Sequence, residues 1–228
     1  MKKILFTLVI SAGSALGAQT VGSLPDKSPF ADLHDAQRLG VFAGMLITGK
    51  DVAGVNPKSA PMVGLRYDLS VGGPAYLTGT LFGTSTTRTI LDYTKSAATR
   101  KVGSQATGLV GANIALAVSA TGERSWKGIQ PLVNVGVGMM AAPGDKQDVS
   151  GYKFGAAFSF SYGVGVRWVS SRSSEFRLDL NQYWWALKYP ETYRSTQGDP
   201  VAIKPNGALN SWTANTALTV AWTFRAFR

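Results

Sequence analysis

In the stretch FSFSYGVGVRW, residues 158–168, every even position from Phe158 to Trp168 is apolar. The odd positions are Ser159, Ser161, Gly163, Gly165 and Arg167. A period of two predicts a β-strand with one apolar and one polar face. Read with the turn residues between them, such alternations divide the chain into eight expected strands: 38–48, 60–70, 74–85, 106–120, 129–141, 152–169, 175–188 and 211–224. The third alternates poorly and its faces stay unassigned. In the fourth, Leu109 falls on the polar side as an exception.

Which solvent wets the apolar face decides the fold class. The sixth strand alternates from Tyr152 to Trp168, far beyond the roughly 5–6 residues of a globular strand and ample for the ~9–11 of a tilted membrane crossing. The connections alternate too, with short SVGGP, TGERSWKG and SSRSS set against four longer ones, the asymmetry of a barrel with tight turns at one end and loops at the other. Aromatics on the apolar parity gather at both ends of the strands. Trp168, Phe176, Trp222 and Phe224 lie toward the short turns, and Trp184 and Trp212 toward the long loops, as two headgroup-level belts require.

The opposite parity holds Arg66, Asp68, Lys153, Arg167, Glu175, Arg177 and Asp179, separated by Gly, Ser and Thr. An eight-stranded barrel is just wide enough to be filled by side chains, so small residues between charged ones fit a lumen. These observations predict an all-β fold, an eight-stranded antiparallel up-and-down transmembrane β-barrel with a polar, side-chain-filled lumen. The charged residues are expected to form a paired ladder that holds the barrel closed, because an unpaired charge in a narrow interior is costly.

The N-terminus changes the picture by adding a destination. MKKILFTLVISAGSALGA has two lysines, an apolar run and small residues, the layout of a secretory signal peptide over residues 1–18. Residues 19–37 are then expected to be a periplasmic segment and 38–228 the barrel. No later run approaches the ~18–20 apolar residues of a membrane helix, and the absence of cysteine excludes disulfides and thiolate metal sites.

Over residues 38–228 this pattern resembles the small eight-stranded outer-membrane barrels of OmpA, OmpX and opacity-like type. LTVAWTF, residues 218–224, is similar to the C-terminal signal read by the barrel-assembly machinery, although Arg225-Ala226-Phe227-Arg228 follow the aromatic at which that family usually stops. The resemblance implies an outer-membrane location in a diderm bacterium, contact with membrane lipid and lipopolysaccharide, and a monomer. It implies a structural, envelope-stabilising or surface-interaction role, with a narrow channel for ions or very small solutes as the alternative and a lipid-modifying enzyme ranked below both.

Little in the sequence points to catalysis, and no enzyme activity, cofactor or metal is expected. The single histidine, His34, precedes the first strand beside the generic Asp32 and Asp35, so neither a Ser-His barrel hydrolase nor an Asp-His barrel protease finds its histidine on a strand. GVGVGMM and GVGVRW lack the turn, helix and lysine of a phosphate loop. Net charge is +10, yet the basic residues are dispersed and give no nucleic-acid footprint. Arg88, Lys95, Arg100 and Lys101 lie in the expected second long loop, 86–103, and are candidates for contact with an anionic surface such as lipopolysaccharide phosphates.

Overall fold

The computed structural model describes residues 28–33, 37–96, 98–170, 173–194 and 203–225. The expected signal peptide, His34 and the last three residues lie outside this set. The strands, in chain order, are β1 (Phe30–Asp32), β2 (Gln37–Thr48), β3 (Ala60–Gly72), β4 (Ala75–Leu91), β5 (Lys101–Ser119), β6 (Arg124–Trp126), β7 (Ile129–Ala141), β8 (Ala156–Val169), β9 (Ser174–Lys188) and β10 (Asn210–Arg225). Eight of them, β2–β5 and β7–β10, each pair antiparallel with the next, and β10 pairs with β2 through Trp222↔Val41 to close the ring. Closure leaves no unpaired strand edge in the ring. The short β1 and β6 pair with each other at the turn end, Phe30 opposite Trp126.

One residue from each barrel strand locates the apolar face. Val41, Leu65, Leu81, Ile114, Val135, Val164, Leu178 and Val220 are 49–61 % exposed, while their chain neighbours point into the lumen. An apolar surface running round the whole molecule far exceeds the few hundred Å² a soluble monomer exposes. Hydrocarbon is the solvent that such a wall fits. The molecule is therefore a closed, outer-membrane-type barrel with its polar and charged side chains buried inside.

Three strands differ from the expected ranges by more than two residues, each for a physical reason. β4 and β5 run well past Ser85 and before Ala106, pairing up to Leu91↔Lys101. There Thr86, Thr87 and Thr89 replace apolar residues, so backbone pairing continues beyond the membrane without an alternation for hydropathy to detect. β4 also resolves the faces of the poorly alternating third strand: Tyr76, Thr78, Phe82, Thr84 and Thr86 point inward and Leu77 and Leu81 outward. β8 begins at Ala156 instead of residue 152, because Gly155 adopts φ +65° and resets the phase of the chain. Tyr152 and Phe154 consequently turn into the mouth of the barrel, and Lys153 is exposed.

The lumen is layered. Its turn half is charged, whereas its loop half is an apolar layer of Phe42, Leu46, Met62, Phe82, Leu109, Met140 and Trp185, all buried. Leu109, the exception on the polar parity, belongs to this layer. The lumen is thus polar only in part.

Candidate functional site

The inward positions of the turn half gather Arg38, Arg66, Arg167, Arg177, Asp68, Glu175 and Asp179, each at most 6 % exposed. In the β8–β9 ladder Arg167 stands directly opposite Arg177, an arrangement that repels unless each cation has its own anion. Both do. Arg167 Nε lies 3.2 Å from Glu175 Oε1, and Arg177 Nε donates to Asp179 at 2.8 Å. Space for the second carboxylate comes from Gly165, paired across from Asp179, where any Cβ would collide with the carboxylate oxygen.

Two groups result, each spanning the lumen. In the first, Arg66 bridges Asp68 (2.8 Å) on its own strand and Asp179 (3.0 Å) on β9, while Thr78 Oγ1 donates to Asp68 at 2.5 Å. In the second, Glu175 receives Arg38 (3.3 Å), Arg167 and the Thr223 hydroxyl (2.7 Å), and the Arg167 guanidinium sits 4.5 Å from the centroid of the Tyr76 ring on β4. Neutral partners extend the layer upward: Ser161 donates to Asn113 at 3.1 Å. Such an arrangement ties strands across the barrel and fills the lumen.

The loop end is closed by a second constellation. Arg88, fully buried at the far end of β4, pairs with Asp145 (3.2 Å) and Asp148 (2.5 Å) and donates to Gln105 (2.9 Å) and the Lys146 carbonyl (3.1 Å). Asp148 also accepts the Ser150 hydroxyl and the Ser150 and Tyr152 amides, so loop 142–155 is wound around one arginine. Burial pushes the Asp148 carboxyl up, but hydrogen bonds from Arg88 and Ser150 outweigh it and hold it below the usual carboxylate range. Tyr93, Tyr152, Tyr189 and Tyr193 pack above the lumen, with Tyr93 and Tyr193 rings 4.6 Å apart. Burial raises all four phenols above their ordinary value. Loop 49–59 completes the cap: Tyr189 donates to Asp51 (2.9 Å), and Asn56 bridges the Gly49 carbonyl (2.8 Å) and Asn215 (3.0 Å).

Of the residues expected in the lumen, Arg66, Asp68, Arg167, Glu175, Arg177 and Asp179 lie together there, and Lys153 lies on the exposed loop surface for the reason given above. Arg38 and Thr78 join them unannounced, although Arg38 shares the parity of Gly40 opposite Leu39; Thr223 joins them from the polar parity of the last expected strand. Of the expected loop cations, Arg88 is a buried structural anchor instead of a surface contact. Lys95 and Lys101 are exposed, Lys95 lying 3.7 Å from Asp92, and Arg100 stacks 4.4 Å over the Tyr93 ring. The outer wall carries Trp168, Phe176, Trp222 and Phe224 at the turn end and Trp184 and Trp212 near the loop end, with Trp184 stacked on Phe160 at 6.0 Å.

No protein-family model matches the chain, and no curated protein matches it in sequence. Among solved structures it is similar to Neisserial surface protein A (NspA), at 7% identity and a TM-score of 0.50, over 87% of this chain and 97% of that one. It also aligns with the outer membrane protein OprG from Pseudomonas aeruginosa (10% identity, TM-score 0.49, 85% of this chain and 99% of that). The N-terminal β-barrel domain of Pseudomonas aeruginosa OprF follows (9%, 0.47, 83% and 98%). The first of these likenesses bears on the fold, a small closed barrel, and on nothing finer.

Proposed function

We propose that the chain is a monomeric outer-membrane barrel of a diderm bacterium, with loops outside and turns in the periplasm, that does not conduct and serves a structural and surface-interaction role. The observation that carries this reading is the filling of the lumen: a charged layer at the turn end, an apolar layer above it and a tyrosine-lined cap over both. A conducting pore needs a continuous polar path, and the Phe42–Phe82–Trp185 layer interrupts it. The outward alternation of Leu218, Val220, Trp222 and Phe224 supports delivery through the barrel-assembly machinery.

The surface role rests on charge distribution. Exposed lysines Lys50, Lys58, Lys95, Lys101, Lys146, Lys153, Lys188 and Lys204 ring the loop end. Its carboxylates are largely engaged, Asp145 and Asp148 by Arg88, Glu191 by Arg194 and Asp51 by Tyr189. At the turn end Lys127 is the sole lysine among the described residues. A rim of this sign complements the phosphates of an outer leaflet. Reconstitution into planar bilayers tests the first half of the reading. The expected record has no unitary current steps, and reproducible steps scaling with salt would replace this reading by a narrow channel.

A further inference from the structure

At the loop end one strand outlasts its neighbour. β5 pairs with β7 only as far as Val110↔Ala141, and Pro143, with no amide hydrogen to offer, stands where the ladder would go on. On its other side β5 stays paired with β4 up to Leu91↔Lys101. A two-stranded ribbon, residues 86–91 and 101–109, therefore stands beyond the closed ring with two edges of its own.

The β4 edge is covered. The Lys58 amide donates to the Thr87 carbonyl at 2.8 Å, the Thr86 hydroxyl donates to the Lys58 carbonyl, and the Tyr93 hydroxyl donates to the Ala53 carbonyl. The first of these bonds also fixes the phase of the ribbon. A Thr87 carbonyl that faces loop 49–59 does not face β5, so Thr87↔Ala106 is a rung without backbone hydrogen bonds, and the Ala106 N–H and C=O point away from β4. Ser104 and Gly108, two residues to either side in an unshifted register, point the same way. The far end of β5 agrees: the Ser119 amide bonds Pro74 on the β4 side, and the Ala120 amide bonds Pro131 on β7.

The β5 edge is open. Among the described residues no backbone bond runs from Ser104, Ala106 or Gly108 to any element beyond β4, and all three residues are exposed. Loop 142–155 meets the ribbon's inner face, where Gln105 donates to Asp145 at 3.1 Å and to the Lys146 carbonyl at 3.4 Å. On the outer face a hollow of about 520 Å³ is left among Ala106, Gly108, Pro143 and Gly144. An edge with neither proline nor bulge between Ser104 and Gly108 is a template for one more strand.

We propose that the Ser104–Gly108 edge takes up an extended, acidic segment of another protein as an added strand. This deepens the surface-interaction role proposed above and rests on its loops-outside orientation. Charge selects for acidity: ribbon and tip, 86–105, together with loop 142–155 carry six lysines and arginines against three aspartates. Geometry argues against a second copy. Two barrels related by a twofold axis along the membrane normal bring β5 beside β5 in parallel and at equal height, so N–H would face N–H and C=O would face C=O.

The test uses the full chain in lipid nanodiscs and two fluorescein-labelled peptides with one alternating Val-Thr core, flanked by glutamates in the first and by lysines in the second. In the free protein the Ser104, Ala106 and Gly108 amides are expected to exchange fast and those of Gln105 and Thr107 slowly. Saturation with the glutamate peptide should slow the first three, and this peptide should bind more tightly than the lysine one. Ala106→Pro removes an edge donor and no bond to β4, so it should weaken binding roughly tenfold, the worth of one hydrogen bond, with the heat-modifiable gel shift intact. Edge amides already as slow as their neighbours, binding that leaves them fast, or a folded proline variant that binds as the parent does would each overturn the site. Equal binding of the two peptides would overturn its acidic selectivity, and edge protection that rises with protein concentration alone would hand the edge to a second copy. Should the proline variant not assemble, the exchange pattern of the parent decides alone. Binding in nanodiscs with none to whole cells would instead overturn the orientation on which an external partner rests.

Discussion

Arg167 has no exposed surface, faces Arg177 across the ladder and depends on Glu175, which it shares with Arg38. Removing one member of a buried ion pair leaves the other uncompensated and costs about 3–5 kcal/mol. Arg167→Leu is therefore expected to lower the temperature at which the barrel loses its heat-modifiable gel shift, and an unchanged transition would remove the ladder at that position. Parity made Arg167, Glu175, Arg177 and Asp179 legible in the sequence, because a charge alternating with Trp168, Phe176, Leu178 and Leu180 has only one side to face. Parity did not disclose Phe42, Leu46 or Trp185 as lumen residues. An apolar side chain on the inner parity looks like a lapse in the pattern until the loop half of the barrel proves to have an apolar core of its own. Arg88 and Lys153 were misplaced for a related reason: one sits where strand continues without hydrophobic alternation, the other beyond the phase reset at Gly155.

At the scale of elements, the eight crossings were readable as alternation bounded by turn residues, and the connections at the loop end were not, because their order comes from polar contacts between residues far apart in sequence. Loop 142–155 depends on a carboxylate and sits against phenols that respond to opposite ends of the pH scale. The Asp148 pKa is depressed on folding, so its contribution is present above the ordinary Asp value of about 3.9 and is lost as pH falls through the lower, folded value. Tyr152, Tyr189 and Tyr193 are raised, so theirs is present below about pH 10 and is lost as pH climbs through the folded values. Amide hydrogen exchange of residues 142–155, corrected for intrinsic rates, is expected to stay slow across neutral pH and to quicken below about pH 4. Protection that does not change down to the pH at which the whole barrel unfolds would detach Asp148 from the cap. Tyrosinate absorbance should likewise appear later than in the unfolded chain.

For the molecule as a whole, closure of the ring and burial of the charges are consequences of one partition: hydrocarbon outside, side chains inside. The most direct measurement of that partition is a nitroxide scan of residues 158–168 in the protein reconstituted into lipid vesicles, with collision by oxygen compared against collision by a water-soluble nickel chelate. Along this strand Phe158, Phe160, Tyr162, Val164, Val166 and Trp168 face out, and Ser159, Ser161, Gly163, Gly165 and Arg167 face in. The account predicts that labels at the even positions collide with oxygen and not with nickel, and that those at the odd positions collide with neither. Nickel access at 160 and 164, with the odd positions washed by water, would contradict it.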